Sequence, residues 1–188
     1  MIRDCDGMKC CEKLPALEYI SHAEFPQVYA LLEQSFPPEE RRSFAGQKAL
    51  LQREEYRLLA VTDPRGNLRG IMGVWEFADF IFLEHFAVDP ACRNSGLGTK
   101  MLTALKENYA PKAICLEAEL PTEEMSRRRQ EFYKRNGFSP RHQSYIQPSL
   151  GEDRSSIPLQ ILSTAEETDL PFEHIRKELY TKVYAVEL

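Results

Sequence analysis

The chain has 188 residues, of which 43% are hydrophobic and 28% charged, with a formal net charge of −5. Such proportions suit one globular domain of ordinary size, which can bury roughly 70% of its unfolded surface without disulfides or a structural metal. The acidic balance argues against a broad field for DNA or RNA, and the longest apolar runs are strand-sized, too short to span a bilayer.

The segment Met1–Lys13 mixes charges with cysteines and lacks the apolar core of a signal peptide. The five cysteines, Cys5, Cys10, Cys11, Cys92 and Cys115, are odd in number and have no paired spacing. They read as free thiols of a reducing, cytoplasmic chain, and no C-x-x-C pair or neighbouring histidine supports a metal site. Residues 1–16 are expected to form a loose extension, 17–163 the domain proper, and 164–188 a helical appendage packed on it.

Leu17–Ile20 reads as a first short strand. Ser21 and Glu24 have capping-box spacing, and Phe25, Val28, Tyr29, Leu32 and Phe36 then recur at helical intervals until Pro37-Pro38. A second, more polar helix is expected from Ser43 to about Glu55. Tyr56–Thr62 and Leu68–Phe77 read as strands joined by the turn Asp63-Pro64-Arg65-Gly66-Asn67. Phe80–Val88 is the most strand-like run. Asn94 or Ser95 opens a helix with Leu97, Met101, Leu102 and Leu105 on one face, followed by a strand over Ala113–Leu120. Thr122 begins a helix that ends at Asn136-Gly137, where glycine supplies a left-handed residue. Strands over Phe138–Gln147 and Ile157–Ser163 and a last helix carrying Phe172, Ile175, Leu179 and Val183 complete the chain. This order predicts an α/β (α+β) fold: one mixed, largely antiparallel sheet of about seven strands with helices on both faces.

The segment Val88-Asp89-Pro90-Ala91-Cys92-Arg93-Asn94-Ser95-Gly96-Leu97-Gly98-Thr99 is the most informative. A strand ends, a loop turns, and two glycines stand where a helix begins. Glycine lets a ligand approach the backbone, and the unpaired N–H groups of a helix start attract anions. Residues Arg93–Thr99 therefore suit a phosphate or pyrophosphate, although a glycine-bearing turn without a ligand has the same pattern. Gly98-Thr99-Lys100 has the wrong order for a Walker loop, and Met101 stands where a dinucleotide fingerprint needs its third glycine.

Arg93-Asn94-Ser95-Gly96-Leu97-Gly98 resembles the acyl-CoA signature of the GNAT superfamily of N-acetyltransferases, Arg/Gln-x-x-Gly-x-Gly/Ala after a strand. Phe132-Tyr133-Lys134-Arg135-Asn136-Gly137-Phe138 resembles its second signature, an aromatic pair shortly before a glycine. The resemblance spans about Leu17–Ser163. It implies a splay between the fourth and fifth strands and acetyl-CoA as acyl donor. Arg93, Asn94, Ser95, Gly96, Leu97, Gly98 and Thr99 would hold the pyrophosphate, and the backbone of Phe86, Ala87 and Val88 would pair with the pantetheine arm. Tyr133 takes the place of the usual general acid, and no metal is implied. The expected partner is a small-molecule or peptide amine, with no nucleic acid and no membrane, and a homodimer is compatible with the family. The alternative is a non-catalytic acyl-CoA-binding regulatory domain, though such a module has no need of Tyr133.

The amine must shed a proton before it attacks, since a lysine-like amine has a pKa of about 10.4 in water. Strand alternation places Glu84 with Phe80, Phe82 and Phe86, an apolar setting that would raise its pKa and suit it to act as the base. A salt-bridged Glu84 is the competing reading. His85 is expected on the opposite face with Ile81, Leu83 and Ala87 as a core histidine. Glu117 or Glu119 could line the acceptor pocket, and Trp75 and Phe36–Arg42 could border it.

Overall fold

The computed structural model describes residues 14–151 and 154–186; the segment Met1–Lys13, expected to be a loose extension, lies outside the described residues. In chain order the elements are β1 (Glu18–Tyr19), α1 (Phe25–Ser35), α2 (Phe44–Ala49), β2 (Tyr56–Thr62), β3 (Leu68–Glu76) and β4 (Phe80–Val88). There follow α3 (Leu97–Tyr109), β5 (Ala113–Glu119), α4 (Glu124–Arg135), β6 (Ser139–Pro140), β7 (Tyr145–Gln147), β8 (Ile157–Ser163) and α5 (Phe172–Glu178). A π-helical turn, Leu179–Val183, continues α5.

The strands form one sheet in the order β1-β2-β3-β4-β5-β8-β6, with β7 also pairing β8. Every pairing is antiparallel except that of β4 with β5, the two strands bridged by α3. Apolar residues cover both faces, as a sheet with helices on each side requires. On one face Phe25 and Leu32 of α1 meet Trp75, Phe80, Phe82 and Ile175; on the other Met101, Leu102 and Leu105 of α3 meet Met72, Ile81, Leu83 and Leu116. Among the described residues no helix is long and apolar enough to cross a membrane.

One irregularity overturns the expected alternation along β4. Gly73 is paired with His85 but the next residue, Val74, with Leu83, so Glu84 is an extra residue in its strand. A bulge of this kind reverses the side-chain phase beyond it. Phe80, Phe82 and Ala87 consequently share the α1 face, while Phe86 and Val88 pack with Ile81 and Leu83 on the α3 face. His85 lies edge-on to Phe36, and Glu84 meets Trp75. Glu84 and His85 therefore point to the same side, and Phe86 to the other.

Other differences are local. The second helix stops at Ala49 and tightens into a 3₁₀ turn, Leu50–Gln52, because only Gln47 and Leu50 are buried along it. The helix after the glycine loop begins at Leu97 rather than Asn94 or Ser95, since Asn94 and Gly96 both have positive φ, 61° and 82°. The strand expected over Phe138–Gln147 is two short strands, which raises the total among the described residues to eight. Between them Arg141 turns inward and donates to the carbonyls of Ala165 and Leu170, at 2.7 and 3.1 Å. Gly137, at φ 83°, ends α4 as expected.

Beside the bulge, a Cβ on Gly73 would lie 2.6 Å from the Tyr56 hydroxyl oxygen and 3.6 Å from the Cβ of His85. That hydroxyl accepts a 2.8 Å hydrogen bond from buried Gln47. Gly73→Ala should therefore cost about 1–3 kcal/mol as an overpacking substitution, lowering the melting temperature by several degrees. An unchanged melting curve would show that Tyr56 can retreat freely.

Candidate functional site

The glycine loop is built by the end of β4. Asp89 accepts from the Ala91 N–H at 2.9 Å and is paired with Arg69 at 3.0 Å, which anchors the turn where the strand stops. The Ser95 hydroxyl donates to the Cys92 carbonyl at 2.6 Å. The chain then passes through Gly96, where a Cβ would meet nothing within 4 Å, and enters α3. The first backbone bond into the helix runs from the Lys100 N–H to the Gly96 carbonyl, 3.1 Å; before it the Leu97 N–H is taken by Ser95 Oγ at 3.4 Å, and the other N–H groups of the helix start are its donors toward a ligand. This open, donor-rich turn fits an anionic group such as the pyrophosphate of CoA. Gly98 lies under Phe86 and Phe132, each 3.4 Å from where its Cβ would be.

Next to the loop the sheet opens. β4 and β5 are paired only from Phe80↔Ala113 to Leu83↔Leu116. Beyond that, β5 stays bonded to β8 through Glu119, and β4 stays paired with β3 through Val88. The facing edges at residues 84–88 and 117–119 have no strand partner across the gap, so the separation falls where it was expected.

On the α1 face, a small cleft beside this gap is lined by Phe36, Glu40, Glu84, Glu117, Gln147 and Tyr184 among others. Its acidic residues differ in chemistry. Glu84 is an ion-pair partner of Arg42, accepts from Trp75 Nε1 at 3.1 Å, and lies 3.5 Å from His85 Nδ1. Burial alone would raise its pKa, but Arg42 and His85 outweigh that and hold it at about 2. Of the two readings of Glu84 the salt-bridged one holds and the raised pKa does not, because the sheet bulge turns it onto a buried arginine; it stays ionised and poorly basic. Glu117 is the opposite case. It accepts from the hydroxyls of Tyr145 and Tyr184, the latter at 2.6 Å. Burial nevertheless dominates, reinforced by Glu84, and pushes its pKa up to about 7. Glu40 is also raised by burial, with Glu119 adding to the effect.

Phe132 and Tyr133 leave the last turns of α4 side by side. Phe132 stacks toward Phe86, with ring centroids 6.2 Å apart, whereas Tyr133 lies edge-on to Phe138 at 5.9 Å. Burial pushes the Tyr133 phenol up to about 12, and Arg129, Glu119 and Glu40 are its charged neighbours. It is therefore protonated at any neutral pH. His85 is 1% exposed and bonds through Nε2 to the Glu40 carbonyl, which leaves it a packed core histidine. Tyr145, Gln147 and Tyr184 had no role in the reading of the sequence, and Arg42 entered it only as the end of a segment expected to border the acceptor pocket. Tyr184 comes 67 positions after Glu117, and nothing in local periodicity links them.

The architecture and the two signature segments define an acyltransferase class, and comparison with known proteins names it. The model of the acetyltransferase (GNAT) domain family matches residues 54–140. A solved structure of a candidate acetyltransferase of the GNAT family from Bacteroides thetaiotaomicron is 32% identical, with a TM-score of 0.83 over 92% of this chain and 99% of that one. This chain belongs to the GNAT acetyltransferase family. The candidate acetyltransferase YjbC of Bacillus subtilis (strain 168) is 32% identical over 112 residues, which are 58% of this chain and 55% of that protein. The chain thus matches about half the length of that curated relative. An aminoglycoside 6′-N-acetyltransferase complexed with coenzyme A shares the fold at 16% identity, with a TM-score of 0.57 over 79% of this chain and 95% of that one.

Arg42 gives a test of the site's framework. Arg42→Met would leave the Glu84 carboxylate buried without its partner, a loss of about 3–5 kcal/mol at neutral pH. Glu84 lies below its ordinary value of 4.5, so the pair's contribution is complete above that pH and lost as pH falls toward about 2. Urea denaturation of both proteins should show the gap shrinking steadily below about pH 4.5. A gap independent of pH would mean that Arg42 acts by packing alone.

Proposed function

We propose that the protein transfers the acetyl group of acetyl-CoA to a primary amine carried by a small molecule or peptide. The observation that carries this reading is the adjacency of three features: the glycine turn at the start of α3, the unpaired edge of β4, and a carboxylate-lined cleft across the gap. The glycine turn at residues 93–99, where the Arg93 and Leu97 N–H groups are already bonded and the rest are left, suits the pyrophosphate, and the edge of β4 at Phe86, Ala87 and Val88, which has no strand partner across the gap, suits an extended amide-bearing arm. Acetyl-CoA supplies an acyl carbon already activated as a thioester, so no covalent enzyme intermediate is required. Tyr133 keeps its proton at neutral pH and is suited to give it to the departing thiolate. The cleft's carboxylates favour an acceptor that arrives as a cation.

Two measurements test the reading. Acetyl-CoA at one hundred times its Kd should stabilise the protein by about 2.7 kcal/mol, visible as a higher melting temperature. Glycine 96 is a poor site for probing that binding, since its φ of 82° would strain Gly96→Val with or without ligand. CoA release with a panel of amines is the decisive assay. Tyr133→Phe should lower turnover by roughly 10- to 1000-fold while acetyl-CoA affinity stays nearly constant, because a thiol of pKa about 8.5 leaves slowly even without a donor. Tight acetyl-CoA binding with no turnover of any amine would instead indicate a regulatory binding domain.

A further inference from the structure

Arg42 and Trp75 already engage the two oxygens of Glu84, which leaves the amine's proton without an acceptor there. Resting on the acetyl-transfer reading above, we propose that Glu117 takes that proton, and that Tyr184, carried by the C-terminal segment, is a positioning residue that aims its carboxylate at the acceptor.

Glu117 is the first residue of β5 beyond the last pair with β4, Leu83↔Leu116, so it stands at the point where the two strands part. Its side chain lines the cleft. Tyr145 donates to Oε1 and Tyr184 to Oε2, one phenol for each oxygen. A carboxylate has about four acceptor positions, so two remain for an ammonium or a bridging water. Burial pushes both phenols far up, so they remain donors and do not compete for the proton. The groups facing Glu117 are these two tyrosines, Glu84 and Arg42 from the neighbouring strand and loop, Glu40 across the cleft, and Tyr180 from the π-helical turn. Burial raises the pKa of Glu117 and the two phenol hydrogen bonds oppose it, with Glu84 and Arg42 adding smaller effects of opposite sign, which leaves a carboxyl able both to accept and to release a proton near neutrality.

Tyr184 reaches this position through the π-helical turn Leu179–Val183, a geometry often found at functional sites. The turn is fastened to the sheet because Arg42 Nη2 donates to the Val183 carbonyl at 3.0 Å, while its Nη1 holds Glu84. The C-terminal segment is thereby a wall of the acceptor site as well as a cover for the sheet.

The step balances. The acceptor's ammonium gives one proton to Glu117, and the freed nitrogen lone pair forms the C–N bond as the C–S bond breaks. The electron pair of the C–S bond leaves on sulfur. Tyr133 gives its proton to the sulfur, and the second nitrogen proton, lost as the amide forms, returns through solvent to the Tyr133 phenolate. Glu117 then releases its proton to solvent, so each turnover yields one amide, one thiol and one proton.

The experiment is a pH series of kcat/KM for wild type, Glu117→Gln, Tyr184→Phe and Glu40→Gln, using an amine that the wild type turns over. Wild type should show a rising limb with an apparent pKa near 7. Glu117→Gln should lose that limb and fall by about 100- to 10,000-fold, with calorimetric acetyl-CoA affinity unchanged. Tyr184→Phe removes a donor that favours the ionised carboxylate, so its limb should move to higher pH. A wild-type limb in Glu117→Gln, or its disappearance in Glu40→Gln instead, overturns the proposal. Should Glu117→Gln fail to fold, an unmoved limb in Tyr184→Phe overturns it. Absence of turnover by the wild type with every amine overturns the acetyl-transfer reading itself, and the base with it.

Discussion

Arg42 joins three parts of the chain that are far apart in sequence. One guanidinium nitrogen pairs with Glu84 in the middle of the sheet, another donates to Val183 near the C-terminus, and its carbonyl accepts from the Tyr29 hydroxyl of α1. Desolvating an arginine and a glutamate together is costly, and it is tolerated here because nearly every polar atom of the pair has a partner. The pair offers no net stability over a well-packed apolar substitute on general grounds. Its value is geometric: it fixes how the α1–α2 connection and the C-terminal segment close over the same part of the sheet.

That closure depends on the bulge in β4. Without the extra residue, Glu84 and His85 would face opposite sides of the sheet, and one of them would enter the α3 cluster. With it, both turn toward α1, and the following residues, Phe86 to Val88, are rephased so that Phe86 meets Phe132 beside the glycine turn. The same strand thus serves two surfaces: before the bulge it is core, and after it one edge is left open. The parting from β5 begins at the same level, since pairing ends at Leu83↔Leu116.

The two carboxylates at that level, Glu84 and Glu117, illustrate how environment separates like groups. Both are buried, and burial raises both. A formal positive charge beside Glu84 reverses the effect, whereas neutral phenol donors beside Glu117 only moderate it. The difference between an arginine and a tyrosine as hydrogen-bond donor therefore divides a permanently charged framework group from one that titrates near neutrality.

Much of the molecule was legible from the sequence because its signals are local. Alternation identified the long strands, helical spacing identified the buried residues of α1, α3 and α5, and the glycine turn announced a ligand-approachable helix start. Residues Arg93–Thr99 and the pair Phe132-Tyr133 could be singled out because each motif is complete within seven residues. The division of the strand expected over Phe138–Gln147 was hidden, since it depends on Arg141 finding carbonyls more than twenty positions away. Which of the two readings of Glu84 holds was hidden for the same reason. A single inserted residue in one strand has no mark in composition or period, and it becomes visible only when Gly73 and Val74 choose their partners across the sheet. Sequence alone determined the fold class, the family and the place of the glycine turn, because those rest on periodicity and short contiguous motifs. Only the tertiary structure decided which carboxylate is neutralised by an arginine and which is left beside two tyrosines. Those contacts, from Arg42 to Glu84 and from Tyr184 to Glu117, join residues 42 and 67 positions apart.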